Sequence, residues 1–588
     1  MLSFTSFSSR LFYCLALTVL FLSGFSVGQK TAVAPSSTAA TSYQRGIQAW
    51  ESGDLRTALA AFEAAVKANP NSADAQNALG QVLLQQGQMD SAIAHFRAVT
   101  RLKPELAVGH VYLGQALAQK AIWNDAITEL RIAVKLAPRQ PETHEALARA
   151  LSGSGETEKA FAEMQKAVEL APHEEQLRDE AGSLLAQMKD YPAAEKAFRA
   201  ALDLNPQYEP ALLHLGVALL NDEKPAEAKQ ALAKVIELNA DDGQAHYFLG
   251  TILEAQHDSR GALEAYERAA KLLPGFLPVQ TRLGLLAQRA GDTQAAIASF
   301  RSVVSAQPND PDGHNNLGLA LLQSGELDNG ISHFKEAIRL APADPSYRNN
   351  LGAAYLQKAD FDSAIQQYKE GLNLTPGNAE LHYNLGLAYK LKDDLPTAIL
   401  ELHKTIEIDP KLPDPHYTLG VILWQSGRFQ DAARELNEVV QLKPDYAEAY
   451  YTLGTVYKQA GDLPRSADSL RKAIQLQPDF PGAHTTLAAV LRQQGDTVGA
   501  AEESKLAAEI TQRSMTLQSA TFATNSGMKL LNAGDLDGAI AQFEAAIKAD
   551  SSYAPAHQQL ATALARKGDK MGASKELEIA KQLQGKQP

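Results

Sequence analysis

The 588-residue chain has a single cysteine, Cys14, inside its first hydrophobic segment. One thiol excludes an internal disulfide, and a form lacking that segment has neither a thiolate metal site nor a cysteine nucleophile. Long Val/Ile/Thr-rich runs are missing, which excludes a β core, while Ala, Leu, Gln, Glu and Lys dominate and point to helix throughout. The net charge of -13 is spread along the chain, with no run of Lys or Arg to follow a phosphate backbone. Nucleic acid is therefore not expected as a partner. Also lacking are G-x-x-x-x-G-K-[ST], H-E-x-x-H, G-x-S-x-G and D-x-[DN]-x-[DN]-G. Without them no enzyme activity and no cofactor or metal are expected.

What is present begins with an N-terminal signal. Arg10 supplies a positive start, Leu11 to Leu22 is apolar, and Ser26-Val27-Gly28 has the small residues a signal peptidase prefers, so residues 1–28 are expected to be cleaved off. Ala32-Val33-Ala34 is a second candidate, blocked by Pro35. The alternative is an uncleaved anchor at 11–27, near the lower length limit for a membrane helix and the one expected membrane contact. Either way the body is expected outside the cytoplasm, periplasmic or secreted in the first case and anchored in the inner membrane in the second. Residues 29–38, rich in Ala, Ser and Thr, read as a flexible spacer.

Beyond residue 38 one period organises everything. Prolines fall at 70, 104, 138, 172 and 206, then from 274 to 478, always 34 residues or twice 34 apart, with Ala240 in the one gap. Glycines from Gly46 to Gly454 and alanines from Ala58 to Ala500 keep the same period over fourteen units, 39–514. Within one unit, Leu317, Leu321 and Leu322 recur at helical spacing and Gly325 breaks the helix. A second amphipathic stretch with Ile331, Phe334 and Ile338 follows and stops before Pro342. Each unit is a helix-turn-helix pair that buries its apolar faces only by stacking on its neighbours. Residues 515–519 break the register, and no Pro or Gly occurs between Ala500 and Ser526, which predicts one long helix across the join. Five residues advance a helix by about 500°, so the two further units at 520–588 should be rotated, as a cap or docking module.

The pattern resembles the tetratricopeptide-repeat family: Leu385-Gly386, Tyr389, Ala398 and Pro410 show its signature, and Phe96 and Phe198 fill its aromatic position. The resemblance implies an all-α, right-handed superhelical solenoid of about sixteen units. It also implies that positions 2, 5, 6, 9, 12 and 13 of each first helix face a groove. Position 5 carries Asn315, Asn349, Tyr383, Tyr417 and Tyr451; position 6 carries Asn316, Asn350 and Asn384, then Thr418, Thr452 and Thr486; position 12 adds Lys390, Trp424 and Lys458. Carboxamides repeated once per unit can bond the amides of an extended peptide, and tyrosines give flat amphipathic contacts. This asparagine column is similar to the repeat arm of O-linked N-acetylglucosamine transferase. Tyr-Asn at these positions is also what an average unit of the family carries, so a dedicated groove and family-typical residues both remain open. Pairs such as Asn77/Gln81 and Tyr247/Thr251 lack the Lys and Asn of a carboxylate clamp. The position 4 histidines, His110, His144, His246, His314, His382, His416, His484 and His557, read as packing residues, because one per repeat lacks metal-site company.

The expected function is an exported scaffold binding peptide segments or helices of other proteins, in bacterial envelope or secretion-complex assembly. The alternative is the substrate-recognition subunit of a separate enzyme such as a glycosyltransferase.

Overall fold

A computed structural model describes residues 38–584. The signal or anchor expected within 1–28, and the spacer up to residue 37, lie outside the described residues. Among those described there is no strand; the chain runs through 31 helices from Thr38–Glu51 to Lys570–Gln584. Consecutive helices pair as hairpins, helix A then helix B, into sixteen repeats. The described residues form two compact halves, one up to Ala306 with repeats 1–8 and one from Gln307 with repeats 9–16. Each half is an all-α solenoid of stacked pairs.

Repeat 9 shows why the local sequence folds this way. Its helix A, Pro311–Gln323, starts at Asp310, whose carboxylate accepts from the backbone N–H groups of Asp312 and Gly313, and proline occupies the first turn, where no amide hydrogen is needed. Gly325 then turns left-handed at φ +85° and lets helix B, Leu327–Leu340, fold back. The same position is left-handed in repeats 1–14, yet six of them place a non-glycine there: Ala121, Lys189, Glu223, His257, Ala359 and Asp393. Each such residue costs on the order of 1 kcal/mol, which the packing of the hairpin must offset.

Inside a hairpin, helices A and B meet where a glycine faces a large side chain sixteen residues later. A Cβ on Gly318 would lie 2.7 Å from Phe334 Cε1, and one on Gly352 would lie 2.5 Å from Tyr368 Cε1. Phe62, Phe96, Phe198, Phe300, Phe334 and Phe543 are fully buried in this way. Each ring contributes roughly 1.5–3 kcal/mol through burial. In repeat 4, where Ala148 replaces the glycine, Met164 replaces the ring.

One helix departs from the pattern. Thr497–Asn532 packs as helix B against Pro481–Gln494 and as helix A against Leu536–Ala549, so repeats 14 and 15 share it and sixteen repeats need only 31 helices. It buries Ala500 and Ala507 on its first stretch, and Ala520, Thr524, Gly527 and Leu531 on its second. Ala500 and Ala520 lie roughly 200° apart around the axis, at about 100° per residue, so the helix changes its buried side midway. None of the described helices is long and apolar enough to cross a membrane.

Candidate functional site

Helix A of repeats 9–13 comprises Pro311–Gln323, Pro345–Gln357, Ala379–Leu391, Pro413–Gln425 and Ala447–Gln459. Eleven of the residues named above, five asparagines, three tyrosines, two lysines and Trp424, lie on these five helices; Thr418 and Thr452 lie there too but are buried, and Thr486 sits on Pro481–Gln494. Each of the eleven is half-buried: Asn315 and Asn316; Asn349 and Asn350; Tyr383, Asn384 and Lys390; Tyr417 and Trp424; Tyr451 and Lys458. Adjacent A helices bring side chains 35 residues apart into contact. Asn350 Nδ2 donates to Asn315 Oδ1 at 2.7 Å, and Asn384 Nδ2 to Asn349 Oδ1 at 2.8 Å. Further along, Tyr383 Oη meets Thr418 Oγ1 at 3.4 Å, and Tyr417 Oη meets Thr452 Oγ1 at 3.3 Å. Trp424 Nε1 donates to Gln459 Oε1 at 2.7 Å. Two rings are buttressed from the next inter-repeat turn, Tyr417 by Tyr446 at 5.4 Å and Tyr451 by Phe480 at 4.8 Å between centroids.

These bonds sort the asparagines by what they can still do. Asn349 is engaged at both ends, since its Nδ2 donates to Glu380 Oε1 at 2.9 Å while its Oδ1 accepts from Asn384. It is a rung of the ladder rather than a contact for a ligand. Asn350 and Asn384 spend an N–H and keep Oδ1, whereas Asn315 spends Oδ1 and keeps Nδ2. The strip thus alternates acceptors, a donor and tyrosine faces in fixed geometry. Burial raises the pKa of the Tyr383 hydroxyl above its ordinary value.

Seven of the eight histidines of the column are buried, with His246 half-buried, and six of them are bonded alike. His110, His144, His382, His416, His484 and His557 each place Nδ1 within 2.5–2.8 Å of a glutamate on helix B of the same repeat. Their Nε2 atoms meet a backbone carbonyl six residues earlier, from the closing proline in five of the six, at 3.0–3.3 Å. Each ring pins helix A, helix B and the inter-repeat turn together. At His416 the bond to Glu435 outweighs desolvation and holds the imidazole pKa above its usual value. A carbonyl can only accept, so the His416 ring donates through both nitrogens when it is charged.

A second constellation, in the first half, escaped the sequence reading. Repeats 4–6 place Glu145, Arg149, Asp179, Glu180 and His214 at positions 5, 6 and 9 of their A helices. Arg149 grips Glu180 through Nε at 2.9 Å and also bonds Glu145 through Nη2. His214 Nδ1 lies 2.8 Å from Asp179 Oδ1, and Gln176 donates to Glu180 at 3.0 Å. Burial pushes the Glu145 carboxyl up to about 7 against the pull of Arg149. Burial works against the His214 charge, but Asp179 prevails and raises its pKa. The readable signal was three consecutive repeats with acidic, Arg or His side chains at positions where nearly all other repeats carry uncharged ones. Among the described residues no group of three or more His, Cys, Asp or Glu could hold a metal ion.

Four family models match the chain. Three are described as tetratricopeptide repeat, at residues 43–107 and 525–584, 185–252, and 141–174. The fourth, the cilia and flagella-associated protein 70 C-terminal domain, matches 287–526. No curated protein matches. Among solved structures, MamA is 30% identical over 28% of this chain and 96% of its own, with a TM-score of 0.27. The Cut9 and Hcn1 hetero-tetramer of the APC/C is 13% identical over 93% of this chain and 96% of its own, with a TM-score of 0.38. YrrB, described as a TPR protein with an unusual peptide-binding site, is 23% identical over 31% of this chain and 95% of its own, with a TM-score of 0.27.

Proposed function

Because the chain belongs to the tetratricopeptide-repeat proteins, a family of interaction scaffolds rather than enzymes, we propose that it is an exported scaffold that seats a partner segment along the helix A face of repeats 9–13. The observation that carries this reading is the unbroken strip of half-buried Asn, Tyr, Trp and Lys side chains over five consecutive repeats. Neighbouring packed helices lie roughly 8–10 Å apart, and an extended peptide advances about 3.3 Å per residue. About three peptide residues therefore pass each repeat, and the strip accommodates a segment of roughly fifteen. The Asn316 carboxamide, Nδ2 of Asn315 and Oδ1 of Asn350 and Asn384 bond the peptide backbone, while the tyrosines and Trp424 cover its side chains. Assembly of envelope or secretion components is the setting we assign, with residues 1–28 as the export signal or 11–27 as an anchor.

Selection of a displayed library of extended peptides on the full chain tests the strip. Peptides that bind at micromolar affinity should lose about tenfold or more in Asn316→Ala/Tyr383→Ala, a pair that spares both ladder bonds. Selected peptides that bind the variant equally well would place the ligand elsewhere. A second reading, presentation of acceptor peptides to a separately encoded transferase, is favoured by the same Asn316, Asn350 and Asn384 column and predicts co-purification with a catalytic subunit.

A further inference from the structure

The long helix leaves two stacking faces open. In the second half, helix B of one repeat packs against helix A of the next, and position 3 of that helix A sits on position 27 of the preceding helix B. A Cβ on Gly371 measures this contact: it would lie 3.0 Å from Leu381 Cδ1. Accordingly Tyr347, Leu381, Pro415, Ala449, Ala483 and Ala556, the position 3 residues of repeats 10–14 and 16, are all buried. In repeat 15 the same position holds Phe522, which is 74% exposed. Position 28 tells the matching story for the other side of the contact. Ile338, Leu372, Ile406, Val440, Ile474 and Ile547 are half-buried, but Ala508 of repeat 14 is exposed. Ala508 thus resembles Lys581 of repeat 16, on which none of the described repeats packs.

The cause is the continuity of Thr497–Asn532. Repeat 14 cannot receive helix A of repeat 15, because that helix is the straight extension of its own helix B. Each chain therefore carries a trailing face on repeat 14 that is open at Ala508, beside the buried Ala507, and an uncovered leading face on repeat 15 at Phe522. Every other junction between successive repeats in this half is built from that same pair of faces.

We propose that a second copy of this chain supplies the missing partner. Repeat 14 of each copy stacks on repeat 15 of the other through the two long helices, antiparallel about a two-fold axis. The occupant follows from continuity with the repeat-stacking interface: one chain offers both complementary faces, so a single two-fold operation closes both at once. The register agrees. Pairing position 27 of repeat 14, Ala507, with position 3 of repeat 15, Phe522, puts the axis midway between them, beside Met515, which is 58% exposed. The extra residues 515–519 thus mark the crossing point, and Met515 and Phe522, one heptad apart, form the apolar centre of the contact.

Two measurements on the full chain test this. In sedimentation velocity the protein should run as a dimer, and Phe522→Glu should weaken dimerisation roughly 100-fold or more, because the two-fold axis counts each substitution twice. Met571→Glu, which alters a still more exposed apolar residue outside the contact, should leave it unchanged. In a Cys14→Ser background, which has no other thiol, the pair Ala507→Cys/Phe522→Cys should oxidise to a disulfide-linked dimer that neither single-cysteine variant forms. Fifteen residues of helix separate the two cysteines by about 22 Å, so no bridge can close within one chain. A monomer at all concentrations, or a dimer that survives Phe522→Glu and fails to cross-link, would overturn the proposal, as would heteromeric capture of a different protein's helix at Phe522.

Discussion

Adding one methyl group at Gly318 tests the central packing argument. Helix propensity alone favours Gly318→Ala by about 1 kcal/mol, since glycine is a poor residue in mid-helix. The structure opposes it, because the new Cβ would lie 2.7 Å from Cε1 and 2.9 Å from Cδ1 of Phe334, where ordinary contact begins at 3.4 Å. The ring would have to retreat by about 0.7 Å inside a close-packed hairpin where it is fully buried. Overpacking of this kind costs roughly 1–3 kcal/mol. The expected net effect is destabilisation of about 1 kcal/mol, the opposite sign from propensity. Repeat 4 shows the compensation: Ala148 faces Met164 there, so Phe334→Met should restore much of the loss in the Gly318→Ala background, with a coupling of about 1 kcal/mol. Hydrogen exchange read on peptides of repeat 9 is the assay, because stability in stacked repeats is partly local. Increased protection in Gly318→Ala, or effects that simply add in the double variant, would refute the reasoning.

Two predictions concern titration. Glu435 raises the His416 pKa, so the stabilisation it gives is complete below about pH 6.5 and fades as the pH climbs through the folded-state value. Glu435→Gln should thus destabilise the chain more at pH 6 than at pH 9 in urea unfolding, by on the order of 1 kcal/mol. Glu145 runs the other way: its ordinary value near 4.5 is pushed up to about 7 by burial, so folding retains a proton that the unfolded chain releases, and stability falls between those pH values. Glu145→Gln should flatten that slope and gain on the order of 1–3 kcal/mol at pH 8, measured in the same way.

The repeat architecture was legible because it rests on local rules. Proline, glycine and alanine hold one period, and the turn at Gly325 and the stop before Pro342 follow from backbone chemistry within a single unit. The unbroken helix past Ser514 was equally local, since nothing between Ala500 and Ser526 interrupts it. What the sequence concealed depends on how one helix lies against another. The bond from Asn350 to Asn315 spans 35 residues and exists only because adjacent A helices stack in that register. The histidine column is visible in the sequence, but its glutamate partners stand nineteen residues later on the other helix of the hairpin. A paired reading of His110 with Glu129 and His382 with Glu401 would have exposed them. In the sequence, the charges at Glu145, Asp179 and Glu180 look like an ordinary solvated helix face, because charge is usually solvated. Only their positions, 5 and 6 of successive A helices, distinguish them from a surface run. Phe522 looked like any other aromatic residue until the burial of its column in the neighbouring repeats showed what it lacks.

Site-specific photocrosslinking tests the claim that the helix A face of repeats 9–13 receives a partner most directly. A benzoylphenylalanine at Tyr417, on that face, is compared with one at Leu400, which is 54% exposed on helix B of repeat 11. The account predicts one dominant adduct from position 417, mapping to an extended segment or a single helix of another protein, and none from position 400. Equal labelling from both positions, or labelling only from Leu400, would contradict it.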